Sequence, residues 1–359
     1  MFPRVSIIIL NWNGWEDTIE CLESLYQITY PNYEVIVVDN NSEDNSIEKI
    51  KEYCEGKIKV ESKFFEYDPN NKPIYVLEYT REQAEKGGYF RKEKYFSKLP
   101  SNRKLRLILN EKNYGFSEGN NIGMRYALKV LNPDYVLLLN NDTVVDPEFL
   151  SELIKIGGDD EKIGVLGPKI YYYSYKQKNN VFWVIGTKIN WWTGYTTEIG
   201  YNEIDFGQYD KIMEFDAVSG CAMLIKTSVL QKVGLLDSDF FLGAEDLEFC
   251  TRVRKIGGFK VVYVPYSKIW HKVSRSREKV IKNPDVYSEL IKNIGMLGAK
   301  KRFKFYIKYS KFYQLFFQIA YYGIIMLPLR VFQILKKHGI VDSLKFFVRF
   351  LLGNYRRLQ

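Results

Sequence analysis

Four short runs in the first 145 positions are apolar at both odd and even positions, so both faces of a strand formed by them would be apolar. They are RVSIIILNW (4–12), YEVIVVDN (33–40), LRLILNE (105–111) and DYVLLLN (134–140). A strand covered on one face alternates apolar and polar residues, whereas a strand covered on both faces is apolar throughout. These runs therefore predict an α/β fold with a mostly parallel sheet and helices packed on both of its faces.

Helical patterns separate the strand-like runs. Residues 15–28 place Ile and Leu at helical spacing, and further helices are predicted over 45–54 and from about 119 to 130. Asn, Asp and Gly cluster where the runs end. In open α/β sheets this edge, outside the carboxyl ends of the strands, is where ligands bind.

The strand–helix rhythm is interrupted once and later changes. Residues 56–104 are charged, rich in Tyr and weakly periodic, and we interpret them as an inserted excursion with room for a hairpin of its own. From about residue 163 shorter runs predict partly antiparallel strands. A helix is predicted over 245–256, where two glycines end it, and a final strand leads to His271.

The positive charge of the chain is concentrated in its last part. Residues 300–359 contain 13 Lys and Arg and one acid, a net charge of +12, so the total of +9 leaves −3 for the first 299 residues. This distribution does not support nucleic-acid binding by the body of the chain. Residues 312–329 are uncharged and barely long enough to span a bilayer. Because basic residues flank this segment and Pro328 interrupts it, we favour amphipathic helices at the membrane interface over a span or ordinary core helices.

The cysteines and the start of the chain bear on the compartment. None of Cys21, Cys54, Cys221 and Cys250 is in a CxxC pair, so neither a zinc site nor a disulfide framework is indicated. The first strand-like run begins at Arg4, and we therefore expect no signal peptide. Both points favour a location of the protein on the reducing side of a membrane.

Two polar clusters follow the strand-like runs of the first half. In VVDNNSEDNS, Ser42 or Asp44 is expected to cap the next helix, while Asp39 lies at the strand end, where a carboxylate can accept hydrogen bonds from a base or ribose. NYGFSEGNNIG (113–123) has the Gly and Asn content of a backbone that approaches a ligand closely. The alternative for the first cluster is a run of helix N-cap residues, and the alternative for the second is an ordinary loop. Neither GxGxxG after the first strand nor a P-loop motif is present.

Two acidic clusters could supply metal and base chemistry. Asn140, Asn141 and Asp142 end a buried run, where a polar turn or a metal–diphosphate site would both fit, since Mg²⁺ or Mn²⁺ on a diphosphate needs only one or two protein oxygens. Glu245 and Asp246 open a helix, where they could complement the helix dipole or, if partly buried, provide a base of raised pKa. His271 is one of two histidines and could serve either a structural role or a metal.

Taken in order, these motifs resemble those of family 2 glycosyltransferases, most closely their rhamnosyltransferase-like members. The resemblance covers residues 4–275 and is carried by NWN, VVDNNSEDNS, NYGFSEGNNIG, LLLNNDTVV, SGCAMLI and GAEDLEFCTRVRKIGG with VPYSKIWH. It implies a GT-A fold, a Rossmann-like mostly parallel sheet with a smaller antiparallel acceptor-side part. The expected domains are 1–275, divided at about 145 into nucleotide-binding and acceptor halves, and a membrane-associating tail over 276–359.

The resemblance implies a site for a UDP-, dTDP- or GDP-linked sugar. Residues after the first strand would line the nucleotide pocket, and Asp39 would contact the base, with Asn40 where a second Asp is common. An Arg frequent at position 120 is replaced by Asn. The implied nucleotide-sugar residues are Asn11, Trp12, Asn13, Asp39, Asn113, Gly119, Asn120, Asn121 and Asn141.

The resemblance also implies an inverting, metal-dependent displacement. Asp142, with Asn140 and His271, would hold Mn²⁺ or Mg²⁺ against the diphosphate, and Asn140 replaces the first acid of the DXD motif. Asp246, beside Glu245, would take the proton from an acceptor hydroxyl. The expected acceptor is a saccharide or a polyprenyl-linked saccharide used in cell-surface glycan or glycoprotein biosynthesis. The expected location is the anionic cytoplasmic face of a membrane, as a peripheral or monotopic protein.

Two alternatives stay open. A nucleotidyltransferase also uses an α/β sheet and acidic metal ligands, but it would need a Gly-rich basic signature near the first strand, and LNWNGWED has no Lys or Arg. A non-catalytic sugar- or lipid-binding scaffold derived from a transferase would agree with Asn40 and Asn140, but the intact Glu245–Asp246 pair argues against it.

Overall fold

The computed structural model of the chain describes residues 2–240, 244–273, 298–321 and 324. The chain divides into a large unit, Met1–Lys188 with Thr197–Phe303, and a small unit, Ile189–Thr196 with Lys304–Gln359. The predictions for 276–297 and for the greater part of the basic tail beyond 321 lie outside the described residues.

A mixed sheet is the centre of the large unit. The described strands are β1 (Val5–Asn11), β2 (Tyr33–Asp39), β3 (Tyr75–Thr80), β4 (Lys104–Leu109), β5 (Tyr135–Asn140), β6 (Thr143–Val145), β7 (Ile163–Tyr172), β8 (Phe182–Val184), β9 (Gly186–Asn190), β10 (Tyr195–Ile199), β11 (Met213–Glu214), β12 (Ala222–Lys226) and β13 (Lys260–His271). The order in the sheet is β11-β13-β7-β12-β5-β1-β2-β4-β3, with β6 beside β13 and β8 beside β7, while β9 and β10 pair separately.

Helices cover the sheet on both faces. The described helices are α1 (Trp15–Leu25), α2 (Ser46–Cys54), α3 (Arg81–Lys86), α4 (Phe90–Phe96), α5 (Gly115–Tyr126), α6 (Phe149–Asp159), α7 (Thr227–Val233), α8 (Glu245–Lys255), α9 (Gly298–Tyr309) and α10 (Phe312–Tyr321). Ile7 and Ile9 of β1 belong to the core that contains α1, α2 and α6. Ile8 belongs to the opposite core with α5, α7 and α8. The predicted α/β class with two covered faces is therefore confirmed.

The two halves of the sheet differ in strand direction. β1 pairs in parallel with β2 and β5, and β4 pairs in parallel with β2 and β3. β12 runs antiparallel to both β5 and β7, whereas β13 is again parallel to β7. The first half is thus parallel, as predicted, and the later strands are partly antiparallel, also as predicted.

The excursion over 56–104 contributes an edge strand and two helices. β3 pairs in parallel with β4, so the expected hairpin is not formed. The insertion is anchored by the fully buried Arg106, whose Nη2 donates to Glu93 of α4 at 2.8 Å and whose Nη1 donates to Glu34 of β2 at 2.6 Å. A charge buried in this way is tolerated because it is paired and hydrogen-bonded. The insertion is therefore fixed to the sheet rather than projecting from it.

Two glycines set the distance between α5 and the sheet. A Cβ at Gly119 would lie 2.6 Å from Leu10, and a Cβ at Gly123 would lie 2.7 Å from Ile8. Both distances are shorter than van der Waals contact allows, so α5 can pack this closely on β1 only with glycine at these positions. α5 also begins at Gly115, four residues before the predicted start.

The small unit combines the tip between β9 and β10 with the last described helices. The rings of Trp191 and Phe305 have their centroids 6.0 Å apart, and Gln318 donates from Nε2 to the carbonyl of Trp191 at 2.6 Å. Within the described residues, no helix combines the length and apolar character needed to cross a bilayer.

Candidate active site

The site lies where β5 ends and β12 begins. Because these strands are antiparallel, with Leu139 opposite Ala222, the end of one meets the start of the other. The backbone N–H of Asn140 donates to the carbonyl of Cys221 at 2.8 Å. The turn at 219–221 therefore connects the Asn-Asn-Asp segment with the elements that hold Asp246.

Asp246 occupies the first turn of α8. Its Oδ2 accepts from the backbone N–H of Gly220 at 3.1 Å, and its Oδ1 accepts from the N–H of Leu247 at 2.8 Å. Burial raises the pKa of the Asp246 carboxyl above its usual value, although these N–H donors act in the opposite direction. A fixed carboxylate with a raised pKa is the arrangement that a general base requires.

The pKa of a second carboxyl, that of Glu198, depends on the charge of Asp246. Partial burial and then the negative charge of Asp246 raise the pKa of Glu198, at the end of β10. Glu245 precedes Asp246 in α8 and is nearly buried, with 9% of its surface exposed. The sequence motifs include Glu245 but not Glu198, because TTEIG carries no motif and the interaction of Glu198 with Asp246 arises only from the tertiary structure.

Asp142 and His271 form a buried pair close to this turn. Nε2 of His271 lies 3.0 Å from Oδ1 of Asp142, and the N–H of Lys272 donates to the Asp142 carbonyl at 2.9 Å. β6 and β13 hold the pair, with Thr143 opposite His271. Burial alone would raise the pKa of Asp142, but the electrostatic interaction and the hydrogen bond with His271 hold that pKa below its usual value. The carboxyl is therefore kept in its ionised form.

The Asp142 carboxylate offers an oxygen ligand for a divalent cation. Its Oδ1 is buried and contacts Nε2 of His271 at 3.0 Å, and Nδ1 of His271 is buried without a hydrogen-bond partner among the described residues. No group of three or more His, Cys, Asp or Glu side chains able to hold a metal occurs in the described part of the chain. A Mg²⁺ or Mn²⁺ ion that takes its remaining ligands from phosphate and water requires no such group.

Asn140 and Asn141 differ in their surroundings. Asn140 ends β5 and is partly exposed. Asn141 donates from Nδ2 to Oγ1 of Thr18 at 3.0 Å and lies 3.3 Å from Oδ1 of Asn11. This contact ties the turn after β5 to the start of α1, so the Asn141 side chain stabilises the loop.

The residues predicted to contact the base form a network of their own. Asn11 is fully buried and donates to Oδ1 of Asp39 at 2.7 Å. The other oxygen of Asp39 accepts from the N–H of Ser42 at 2.9 Å. Trp12 and Asn13, which follow β1, are partly exposed. The structure thus places Asp39 at the predicted strand end, with its carboxylate holding the loop after β2.

The cap of the next helix differs from the prediction. Asn45, in the left-handed conformation with a φ of 60°, precedes the first residue of α2, and its side chain makes no capping bond. Asp44 instead accepts from the backbone N–H of Ser46 at 3.2 Å. The prediction that Ser42 or Asp44 would be the N-cap is therefore wrong by one to three residues, because the tight loop around Asp39 uses Ser42.

The predicted residues of the 113–123 segment hold α5 in place. Asn121 donates to the carbonyl of Leu236 at 2.9 Å and accepts from its N–H at 3.1 Å. Asn120 is buried and donates to the carbonyl of Phe116 at 2.9 Å. Asn113, before the helix, accepts from Asn40 at 2.9 Å. Together with the close packing at Gly119, these contacts give the segment a structural role.

A cavity of about 510 Å³ lies next to α1. Its lining includes Trp15 and Glu16 of α1, the segment 58–61 of the insertion, and Lys272. Lys272 connects this cavity to the Asp142–His271 pair, because it directly follows His271 and its Nζ lies 2.6 Å from Oδ1 of Asp17. None of the predicted nucleotide-sugar residues lines the cavity, so it is not the expected donor pocket.

Family models match the chain in two places. The model described as glycosyltransferase like family 2 matches residues 96–284, and that described as glycosyl transferase family 2 matches residues 6–68. The first match alone includes more than half of the chain and contains Asp142, Asp246 and His271. The second contains Asn11 and Asp39.

Curated relatives carry related descriptions. The low-salt glycan biosynthesis hexosyltransferase Agl10 of Haloferax volcanii is 26% identical over 71% of this chain and 63% of its own length. The dTDP-rhamnosyl transferase RfbF of Shigella flexneri is 25% identical over 51% of this chain and 57% of its own length. The chain thus spans about three fifths of each of these relatives.

Solved structures share the fold. The mannosyltransferase PcManGT from Pyrobaculum calidifontis, in complex with GDP-Man and Mn²⁺, aligns with 99% of this chain and 82% of its own at a TM-score of 0.53 and 15% identity. GalNAc-T7 with UDP, GalNAc and Mn²⁺ aligns with 75% of this chain and 44% of its own at a TM-score of 0.51 and 16% identity. These similarities confirm the predicted GT-A fold. The family model that matches more than half of the chain shows that it belongs to glycosyltransferase like family 2.

Proposed function

We propose that the protein is an inverting glycosyltransferase that uses a nucleotide-sugar donor and a divalent cation. One observation carries this proposal: the turn at 219–221 contacts both the carboxylate of the proposed base and the segment that holds the proposed metal ligand. Its Gly220 N–H binds the Asp246 carboxylate, and its Cys221 carbonyl binds the backbone of Asn140, two residues before Asp142. Burial, and then the charges of Asp142 and Asp246, raise the pKa of the Cys221 thiol, which supports the proximity of both carboxylates.

Asp246 acts as the general base in this proposal. Its carboxylate takes the proton from an acceptor hydroxyl as that oxygen attacks the anomeric carbon from the face opposite the nucleotide. The bond from the anomeric carbon to the diphosphate breaks in the same displacement, so the configuration inverts. Partial burial and the charge of Asp246 raise the pKa of Glu198, and Glu245 precedes Asp246 in α8, so these two acids are the candidates for binding the acceptor.

Asp142 and His271 hold the cation. A divalent ion bound to them would neutralise the charge that develops on the diphosphate leaving group. The contribution of the chain is to keep Asp142 ionised and to keep His271 beside it, since β13 fixes the position of His271 relative to the turn after β5. Asn140 supplies an amide where an acid is common in the family, so the cation has a single protein carboxylate.

The proposed donor is a nucleoside diphosphate sugar linked through UDP, dTDP or GDP. The names of the relatives and the ligands of the similar structures support this class. The proposed acceptor is a saccharide, free or polyprenyl-linked, in cell-surface glycan or glycoprotein synthesis. The proposed place of work is the cytoplasmic face of a membrane, which the basic tail supports through its net charge of +12 over residues 300–359.

Release of free nucleoside diphosphate tests the reaction. The full chain is incubated with Mn²⁺, a panel of UDP-, dTDP- and GDP-sugars, and simple saccharide acceptors. Asp246→Asn should lower kcat by at least about a hundredfold, whereas Glu82→Gln, an exposed acid on α3, should leave it unchanged. The anomeric configuration of the product, read by NMR, should be opposite to that of the donor. Turnover of no donor, or retained activity in Asp246→Asn, would sink the proposal.

A further inference from the structure

The hairpin tip Ile189–Thr196 is part of an aromatic unit with α9 and α10. The ring of Trp192 lies 5.5 Å from that of Tyr313 and 5.7 Å from that of Phe317, measured between centroids. The rings of Tyr195 and Tyr321 are 6.2 Å apart. Tyr306 also donates from its hydroxyl to the carbonyl of Gly194. Residues more than a hundred positions apart in sequence therefore form one packed surface.

This surface exposes large apolar side chains. Phe312 is 87% exposed, Phe316 70%, Phe317 52%, and Trp192 51%. Phe305, Tyr309 and Gln318 of the same helices are buried, so the exposed rings lie on one side. A group of exposed rings this dense is typical of an interaction site rather than of a solvated surface.

The charges around these rings identify the partner. Lys304, Lys308 and Lys311 are exposed, and residues 298–321 contain no Asp or Glu. A lysine can extend its alkyl stem over apolar surface and keep its ammonium group at phosphate level. Trp and Tyr rings prefer the same depth in a bilayer, since they are apolar with one polar edge. Basic residues near anionic lipid add about fivefold in binding each.

We propose that the tip residues Trp192 and Tyr195, together with α9 and α10, form one docking surface for an anionic lipid bilayer. The hairpin tip of the small unit thus takes part in membrane binding, rather than the basic tail alone. This inference builds on the proposed membrane location but does not depend on the transfer reaction, because binding to vesicles is measured without donor or acceptor.

Sedimentation of the full chain with vesicles tests the proposal. Vesicles of phosphatidylcholine alone are compared with vesicles that contain one quarter phosphatidylglycerol. Trp192→Ala and Phe316→Ser should each lower binding about tenfold, and Lys308→Glu with Lys311→Glu should lower it more on anionic vesicles and more at low salt. Phe206→Ser removes an 84% exposed ring of the large unit and should leave binding unchanged.

A second measurement does not depend on the stability of the variants. Brominated lipids should quench the tryptophan emission of the wild-type chain, and Trp192→Phe, which keeps an aromatic ring, should bind vesicles but lose much of this quenching. Equal binding by wild type, Trp192→Ala and Phe316→Ser would overturn the proposal, as would quenching that is unaffected by Trp192→Phe. Self-association abolished by these variants, in the absence of vesicle binding, would show instead that the surface joins two copies of the chain.

Discussion

Asn40 donates a hydrogen bond from Nδ2 to Oδ1 of Asn113 at 2.9 Å, and its own Oδ1 accepts from Asn110 at 3.0 Å. The same amide also donates to the carbonyl of Gly115 and accepts from the N–H of Tyr114. An aspartate at position 40 could not make these bonds, because an ionised carboxylate only accepts hydrogen bonds. The asparagine is therefore explained by the loop that it holds between β4 and α5.

Asn40→Asp should destabilise the protein for this reason. Asn40 is only 1% exposed, so the new carboxylate would be buried as well. It would face the oxygens of Asn113 and Gly115 and could donate a hydrogen bond to neither. We expect a loss of about 2–3 kcal/mol in the free energy of unfolding, measured by urea denaturation. Asn102→Asp, at an exposed position, should change it by less than about 0.5 kcal/mol. Equal stability of the two variants would contradict the role assigned to the Asn40 amide.

Arg106→Met should destabilise the protein more strongly. The substitution leaves the buried carboxylate of Glu93 without its guanidinium partner, while Glu34 keeps Lys104 at 2.8 Å. Loss of one member of a buried ion pair costs roughly 3–5 kcal/mol, which urea denaturation would measure. Arg91→Met, on the exposed side of α4, is the matched control. A small effect would mean that the insertion is not held by this ion pair.

The sequence predicts the parallel half of the sheet well because its signal is local. β1, β2, β4 and β5 are each apolar on both faces, and their ends agree with the predicted runs within about two residues. The identity of β3 was not predictable in this way. Its burial alternates, as expected for an edge strand, and it joins the sheet by pairing with β4. The insertion is further held by Arg106, whose partner Glu93 lies in a helix without a clear pattern.

The candidate site was predictable only in part. Asp142, Asp246 and His271 belong to motifs with fixed order, and the structure places their segments around the turn at 219–221. The structural roles of Asn121 and Gly119 could not be predicted from the sequence. Asn121 bonds to Leu236 and Gly119 packs on Leu10, and both of these partners are distant in sequence. Glu198 was missed for the same reason: its effect on the site comes from the electrostatic interaction with Asp246 and not from a local pattern.

The titration of Glu198 should change when Asp246 is neutralised. Because the negative charge of Asp246 contributes to the raised pKa of Glu198, Asp246→Asn should lower that pKa. Carbon-detected NMR of the Glu198 carboxyl would measure the change, with the exposed Glu82 carboxyl as an internal reference. The same Glu198 pKa in both proteins would mean that the two carboxyls do not interact.

The rate of the proposed transfer should fall at low pH, where the Asp246 carboxylate becomes protonated. The base works only when deprotonated, and burial raises its pKa above the usual value of 3.8. Hence kcat/KM should decrease as the pH is lowered through this raised value, and not only near that of an ordinary carboxyl. The residual rate of Asp246→Asn should lack this acidic limb, whereas Glu82→Gln should retain it. An identical limb in Asp246→Asn would assign it to another group.

Cation binding can be separated from turnover by observing the metal directly. The free Mn²⁺ signal in electron paramagnetic resonance gives the affinity of the full chain for Mn²⁺ in the presence of a nucleoside diphosphate. Asp142→Asn removes the proposed protein carboxylate and should weaken binding at least tenfold, and His271→Ala should weaken it by a similar factor because it removes the neighbouring nitrogen donor. Glu16→Gln, which neutralises an exposed acid at the nearby cavity, should leave the affinity unchanged. An affinity that is indifferent to Asp142→Asn, or equally sensitive to Glu16→Gln, would show that the cation is not held by the Asp142–His271 pair.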